Sequence, residues 1–178
     1  MKKILAVFAF VSLMTLCMSC SPISGTLETE AKKAPPFADI LKAPERYTGT
    51  TVIWGGVIVE TDNRQGGTYL IVINTKLDSG RQPTEKDVSE GRFIAFSKEF
   101  LDPAIYQKGR EITVAGEITG SEESLIGEKR YRYPVVTVKE IHLWEESKTY
   151  YDPYFYDPWY FSPYPYWHYP YPYHHHHH

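Results

Sequence analysis

The sequence predicts a mostly β fold, a small five-stranded barrel with one or two short helices. Five runs rich in Val, Ile, Thr, Tyr and Phe follow one another in the middle of the chain, and clusters of turn-forming residues separate them. Paired glycines, Gly55 and Gly56, interrupt the first run beside Trp54, as expected where a strand bends sharply or another backbone comes close. The strands are therefore predicted to curl into a small sheet that closes on itself.

The predicted elements follow a simple order along the chain. Helical spacing of Phe37, Ile40 and Leu41 predicts a short helix before the first strand. Residues 97–107 predict a short helix or a helical turn, interrupted at Pro103, between the third and fourth strands. The strands are predicted at residues 51–60, 68–76, 92–96, 111–120 and 130–144, and polar loops at residues 61–67, 78–90 and 121–129.

The fourth run shows the clearest alternation of a half-buried strand. Ile112, Val114 and Ile118 fall on one face, while Thr113 and Glu117 fall on the other. Three strands, a short helix and two further strands are the element order of an OB-fold, a five-stranded, partly open barrel. An unrelated small β-barrel or a β-sandwich is the alternative that this pattern leaves open.

Length and charge limit the classes of function. The 178 residues suffice for one domain with appendages, and the formal net charge is −3. Removing a leader that contains Lys2 and Lys3 leaves 17 basic against 22 acidic residues. A mildly acidic domain is a poor partner for nucleic acid, because such binding depends on Lys and Arg side chains that neutralise phosphates. Both cysteines lie at the end of the leader, so the folded part is predicted to contain no disulfide.

The N-terminus has the pattern of a secretion signal. A short basic start precedes an apolar stretch, residues 4–18, that is too short to cross a bilayer comfortably. It ends in the sequence LCMSC, which is similar to a bacterial lipobox with the small residue Ser19 before the acceptor Cys20. Choosing Cys17 as the acceptor would leave Leu16 before the cut, where a small residue is required. The alternative is an ordinary cleaved signal with a free cysteine near the mature end.

A lipidated Cys20 would carry a diacylglycerol and an N-acyl chain, and no other cofactor is expected. Several acyl chains make anchoring effectively permanent. Ser21 after the cysteine, instead of Asp, favours sorting to the outer membrane. The chain is predicted to divide into a signal peptide (1–19), a polar, Pro-rich lipidated tether (20–36), the barrel (37–146) and a C-terminal tail (147–178).

Motifs along the barrel and the lipobox carry a family resemblance. Together they resemble the Slp family of bacterial outer-membrane lipoproteins, and the resemblance covers the whole domain. It implies a lipid-anchored envelope protein associated with starvation and stationary-phase stress, and it brings no catalytic residues with it. The motifs are WGGVI at 54–58, GRF at 91–93, FLDP at 100–103 with Tyr106, GR at 109–110, TVAG at 113–116, IGE at 126–128 with Tyr131, YPVV at 133–136 and HLW at 142–144.

Nothing in the sequence predicts an enzyme. Catalysis requires a nucleophile with a base, two facing carboxylates or an open metal site. His142 is the one histidine inside the predicted domain, and its position between Ile141 and Leu143 favours a structural role. Glu99 and Asp102 are close in sequence, but an Asp before Pro is typical of a turn.

Trp54 is the candidate ligand-binding residue of the barrel. OB-folds bind ligands on the barrel face and in the loops after the first and fourth strands, predicted here at 61–67 and 121–129. The alternative is that Trp54 fills the core while the neighbouring glycines allow the strand to curl.

The C-terminal tail is the second candidate binding element. Residues 150–173 hold ten of the fifteen tyrosines, alternating with Pro, Trp and Phe, so that neither a regular helix nor a central strand is expected. The rings would insert at the membrane interface, stack on glycans, or belong to a flexible extension that folds back loosely. The candidate contact residues in this segment are Tyr154, Trp159, Tyr164 and Trp167.

The chain ends in five consecutive histidines, which bind Ni, Cu or Zn weakly whether they are native or a purification tag. The sequence thus predicts a non-enzymatic, lipid-anchored outer-membrane protein whose domain faces the periplasm. Its candidate partners are outer-membrane lipid, peptidoglycan, lipopolysaccharide or another envelope protein. The weak metal candidates are His174, His175, His176, His177 and His178.

Overall fold

The computed structural model describes residues 21–85 and 87–146, which belong to one compact unit ending at Glu146. Within these ranges no helix is long and apolar enough to cross a membrane. The helices are α1 (Gly25–Ala31), α2 (Phe37–Lys42) and a 3-10 turn (Pro44–Tyr47); the strands are β1 (Thr51–Arg64), β2 (Gly67–Thr75), β3 (Gly91–Ser97), β4 (Glu111–Ile126) and β5 (Lys129–Leu143).

The five strands close into a barrel in the order β1-β2-β3-β5-β4, and β4 returns to pair with β1. All pairings are antiparallel except the short parallel contact of β3 with β5, in which Ile94 lies opposite Val135. This is the strand order of the five-stranded Greek-key barrel of an OB-fold, so the predicted fold class is confirmed. Pro134 lies in β5 directly before the parallel contact, close to a register shift between Ile118 and Gly120.

Two glycines permit the sharp coiling of the barrel. Gly56 has a φ of +156°, and a Cβ atom there would lie 1.8 Å from the carbonyl oxygen of Ile73 on β2. A Cβ atom on Gly116 would lie 2.2 Å from the carbonyl oxygen of Thr137 on β5. Because strand pairing brings another backbone this close, neither position has room for a side chain. The glycines of the WGG motif are therefore explained by strand curvature.

Aromatic rings fill one part of the core. The ring of Trp54 meets Phe37 of α2 at 4.7 Å between centroids and Phe93 of β3 at 5.2 Å, both edge to face. Edge-to-face packing is a favoured arrangement of aromatic pairs. The alternating apolar residues of β4 point to the same core, with Ile112, Val114 and Ile118 fully buried, as their spacing predicted.

The predicted extents of the two loops, 61–67 and 121–129, are wrong, because the strands continue through most of these residues. β1 extends to Arg64 and β4 to Ile126, and each hairpin closes through a two-residue turn. Gly66 and Gly127 have positive φ values, +106° and +60°, which such tight turns require. Ion pairs account for part of the polar composition: Arg64 pairs with Asp62 of the same strand and with Glu122 of β4, and Arg132 of β5 pairs with Glu123 of β4 at 3.0 Å.

The segment between β3 and β4 contains no regular helix. Residues 103–106 form a single helical turn, in which the amide nitrogens of Ile105 and Tyr106 both donate to the carbonyl oxygen of Asp102 at 2.9 Å. Of the two alternatives predicted for 97–107, the helical turn is the one observed.

The structure contradicts the predicted tether at 20–36 over residues 23–31. Residues 25–31 form α1, and Leu27 of this helix and the preceding Ile23 are buried against the outside of the barrel. The prediction failed because the segment is polar on average, whereas its few apolar residues are buried and its polar groups also bond to the barrel, as when the Thr51 hydroxyl of β1 donates to Glu30 at 3.0 Å. The folded unit therefore starts well before residue 37.

Candidate functional site: the N-terminal clamp and its groove

Residues 21–31 form a clamp on the outer surface of β1 and β4. Ile23 is 2% exposed and Leu27 is 8% exposed, and both pack on Ala115 of β4 and Ile53 of β1. Ala115 points away from the barrel core, yet it is fully buried. The clamp thus covers the outer face of a strand that the sequence predicts to be half exposed.

An ion pair holds the clamp to the long loop between β2 and β3. The guanidinium of Arg81 donates to both carboxylate oxygens of Glu28, one of them at 2.8 Å, and the Ser21 hydroxyl adds a bond of 3.0 Å. The hydrogen bond from Arg81 lowers the pKa of Glu28 below its ordinary value, against the opposing effect of burial, and Ser21 contributes to the lowering. The same bond raises the pKa of Arg81.

The loop that carries Arg81 is tied to the barrel in turn. The Thr113 hydroxyl donates to the carbonyl oxygen of Arg81 at 2.6 Å and accepts from the indole nitrogen of Trp144 at 2.9 Å. On the other side of the clamp, the amide nitrogen of Ser24 donates to a carboxylate oxygen of Glu140 at 2.8 Å. A continuous chain of hydrogen bonds therefore runs from Ser21 across the outer face of β4 to the end of β5.

A groove of about 280 Å³ lies beside the clamp, where the connection to α2 passes over β1. Its volume is slightly below the ~300–1,000 Å³ of typical ligand pockets. The lining combines apolar and cationic side chains, of which Arg81 is already paired with Glu28. The principal lining residues are Lys32, Pro35, Val52, Ile53, Trp54 and Arg81.

The structure places Trp54 in the core. Only 8% of the residue is exposed, and the ring packs against Phe37 and Phe93. This placement agrees with the alternative in which Trp54 fills the core. Cys20 and the tail residues Tyr154, Trp159, Tyr164, Trp167 and His174–His178 lie outside the described residues.

His142, Glu99 and Asp102 do not come together. The ring of His142 lies on the outer face of β5, 4.5 Å from the ring of Trp144 in an edge-to-face contact. Asp102 accepts a bond of 2.8 Å from the amide nitrogen of Ala104, the capping role that its place before Pro103 predicted. Among residues 21–85 and 87–146, no group of three or more His, Cys, Asp or Glu side chains is arranged to hold a metal ion.

The clamp was not predicted, although the sequence contains a signal for it. Ile23, Leu27 and Ala31 are spaced four apart, which is the spacing of one face of a helix. The partner residue Arg81 carries no comparable signal, because 53 residues separate it from Glu28 and the loop around it reads as ordinary polar sequence.

Comparison with known proteins decides the family. The profile of the outer membrane lipoprotein Slp family matches residues 17–174, nearly the whole chain. The chain belongs to this family. The resemblance inferred from the WGG, FLDP and HLW motifs is thereby confirmed, and the Slp-family match includes the lipobox cysteine and most of the aromatic tail.

Two curated relatives match more than half of the chain. The uncharacterized lipoprotein YeaY of Escherichia coli (strain K12) is 37% identical over 105 residues, which are 59% of this chain and 54% of the relative. An uncharacterized protein of Haemophilus influenzae is 36% identical over 101 residues, 56% of this chain and 55% of the relative. The Slp-family chain thus spans about half the length of the curated relatives it matches.

Solved structures of single-stranded DNA-binding proteins are distant neighbours. The small protein of this type from Streptomyces coelicolor gives a TM-score of 0.35 at 7% identity, covering 53% of this chain and 94% of that one. The Plasmodium falciparum protein in complex with single-stranded DNA gives 0.33 at 9% identity, with the same coverage. These values carry no information about what the Slp-family chain binds.

Proposed function

We propose that this Slp-family outer membrane lipoprotein is anchored through acyl chains on Cys20 and acts by binding, without catalysis, in an envelope-stabilising or stress-associated role. The observation that carries the proposal is the lipobox ending at Cys20 within the family match, one residue before an ordered segment that packs on the barrel. The barrel faces the periplasm, and lipid is its first partner.

The described side chains support binding rather than chemistry. Among them, the groove contains an ion pair and apolar residues but no nucleophile with an adjacent base. The charged pairs on the two hairpins are exposed and join neighbouring strands, which is a structural role. The residues that distinguish the family motifs, such as Gly56 and Trp54, serve curvature and core packing.

The experiment that tests the anchor compares two cysteine variants in the native host. Cells are labelled with radioactive palmitate, and their membranes are separated by density. Cys20→Ser is expected to abolish the label and release the protein from the outer membrane, whereas the matched control Cys17→Ser is expected to retain both. Unchanged labelling of Cys20→Ser would contradict the proposal. Protease accessibility of intact against permeabilised cells then reports whether the barrel faces the periplasm.

A second candidate function rests on the tail, whose composition the barrel does not share. Residues 150–173 alternate aromatic rings with proline, and residues 174–178 are histidines, so a glycan or a divalent metal is the candidate ligand. Two separate deletions distinguish the ligands. Loss of 150–173 is expected to remove retention on purified peptidoglycan or lipopolysaccharide, and loss of 174–178 to remove retention on immobilised Ni²⁺ or Zn²⁺. Retention on the glycan without 150–173 would eliminate the glycan candidate.

A further inference from the structure

The clamp leaves no flexible linker between the lipid attachment site and the barrel. Ile23 is 2% exposed, and its place in the barrel surface is fixed by packing on Ala115 and Ile53. Consecutive Cα atoms are 3.8 Å apart, so the Cα of Cys20 lies within about 11 Å of the Cα of Ile23. Acyl chains attached there must enter the bilayer beside this part of the barrel.

The contacts around Ser21 show which surface this is. We define the anchor face as the outer surface formed by the clamp, Arg81, Glu140, His142 and Trp144. Ser21 bonds Glu28, Glu28 bonds Arg81, and the Thr113 hydroxyl joins Arg81 to the indole of Trp144 at 2.6 and 2.9 Å. The half-buried rings of His142 and Trp144 therefore belong to the same surface as the point where the lipid would attach.

We propose that the anchor face rests on the phospholipid headgroups, so that the barrel is held against the membrane in one orientation. This inference rests on the proposed acylation of Cys20. Trp144 sits at the edge of the contact, where Trp side chains are favoured at the boundary between headgroups and hydrocarbon. Because the clamp packs on the barrel directly after Cys20, the barrel is not free to rotate about its lipid anchor.

The chemistry of the face predicts contact without strong electrostatic attraction. The one cation of the face, Arg81, pairs with Glu28, and the carboxylates of Glu30 and Glu140 accept hydrogen bonds from Thr51 and Ser24, so the face has no excess of basic side chains. An uncompensated basic patch would bind anionic lipid in a salt-dependent way. Here the acyl chains and the short connection set the orientation, which is therefore expected to be the same at low and high salt.

The test uses the full lipidated chain in vesicles of phosphatidylethanolamine and phosphatidylglycerol. The acylated mature chain contains no free thiol, because Cys17 leaves with the leader, so single cysteines can be introduced and labelled with a fluorophore. Ser24→Cys, in the clamp, and Lys139→Cys, at the exposed position next to Glu140, report on the anchor face. Leu125→Cys is the distal control, since it lies ten residues beyond Ala115 on β4, about 33 Å along the strand, and is 63% exposed.

Nitroxide-labelled headgroups in the vesicles quench nearby fluorophores. The two face labels are expected to be quenched at least threefold more strongly than the label at Leu125, at low and at high salt. Equal quenching at all three sites in palmitate-labelled protein would overturn the inference. Absence of palmitate from the protein would instead overturn the proposed anchoring, so the two failures are distinguishable.

A linker variant provides the second measurement. Inserting eight Gly and Ser residues between Cys20 and Ser21 leaves the clamp sequence intact and separates the lipid attachment site from the clamp by a flexible linker. The difference between the face labels and the distal label is expected to fall to less than half. Persistence of the full difference would show that the short connection does not orient the barrel, and would contradict the inference.

Discussion

Truncation of the two apolar side chains of the clamp tests whether this segment is part of the fold. Ile23 and Leu27 are almost completely buried in a small cluster with Ala115 and Ile53. Replacing a buried Ile or Leu by Ala costs roughly 2–5 kcal/mol, depending on how much of the site collapses. Because this cluster lies on the outside of the barrel and is small, the lower end applies, about 2 kcal/mol for Ile23→Ala or Leu27→Ala.

The measurement is the free energy of unfolding in urea, made on the mature chain with Cys20→Ser so that no lipid is present. A loss of 2 kcal/mol lowers the Tm of a domain of this size by about 6–10 °C. Thr26→Ala is the matched control, since Thr26 lies in α1 but is exposed, and it is expected to change stability by less than ~0.5 kcal/mol. If Ile23→Ala and Leu27→Ala were as stable as this control, the clamp would be a tether and the reasoning would fail.

Three further predictions concern other parts of the structure. Gly56→Ala is expected to destabilise the barrel by more than ~3 kcal/mol in urea, because its Cβ would meet a backbone oxygen at 1.8 Å, whereas the open helical site Gly25→Ala should lose nothing. Trp54→Ala should cost about 3–5 kcal/mol of unfolding free energy and Trp54→Phe much less; a neutral Trp54→Ala would contradict its core placement. The lowered pKa of Glu28 means that its pairing with Arg81 stabilises the fold above the ordinary carboxyl pKa and is lost as the pH falls through the lowered value, so Glu28→Gln should reduce the Tm at pH 7, and this difference from the wild type should shrink as the pH is lowered.

The β-strands could be predicted because the alternation of apolar and polar residues is a property of consecutive residues. Alternation in β4 placed Ile112, Val114 and Ile118 inside, and the structure buries all three completely. Prediction from neighbouring residues failed at the two hairpins. Residues 61–64 and 121–126 are polar and turn-forming, yet they pair as strands, and ion pairs such as Arg132 of β5 with Glu123 of β4 join the paired strands. Composition alone does not distinguish a polar loop from a solvent-exposed two-stranded ribbon.

The candidate site was harder to predict than the barrel, for a different reason. Its defining contacts join residues far apart in the sequence, 53 positions for Glu28 with Arg81 and 116 for Ser24 with Glu140. Each partner is an ordinary polar residue of a helix, loop or strand when considered alone. Closure of the barrel pairs β1 with β4, and the clamp covers the outer face that these two strands form.

The sequence by itself determined the fold class, the family and the predicted secretion and lipidation signal, because alternation, turn glycines and short motifs are properties of consecutive residues. Tertiary structure alone decided that Trp54 belongs to the core and that residues 21–31 belong to the folded unit. The physical reason is burial: whether an apolar residue such as Ile23 is exposed or covered depends on which distant surface the closed barrel presents to it.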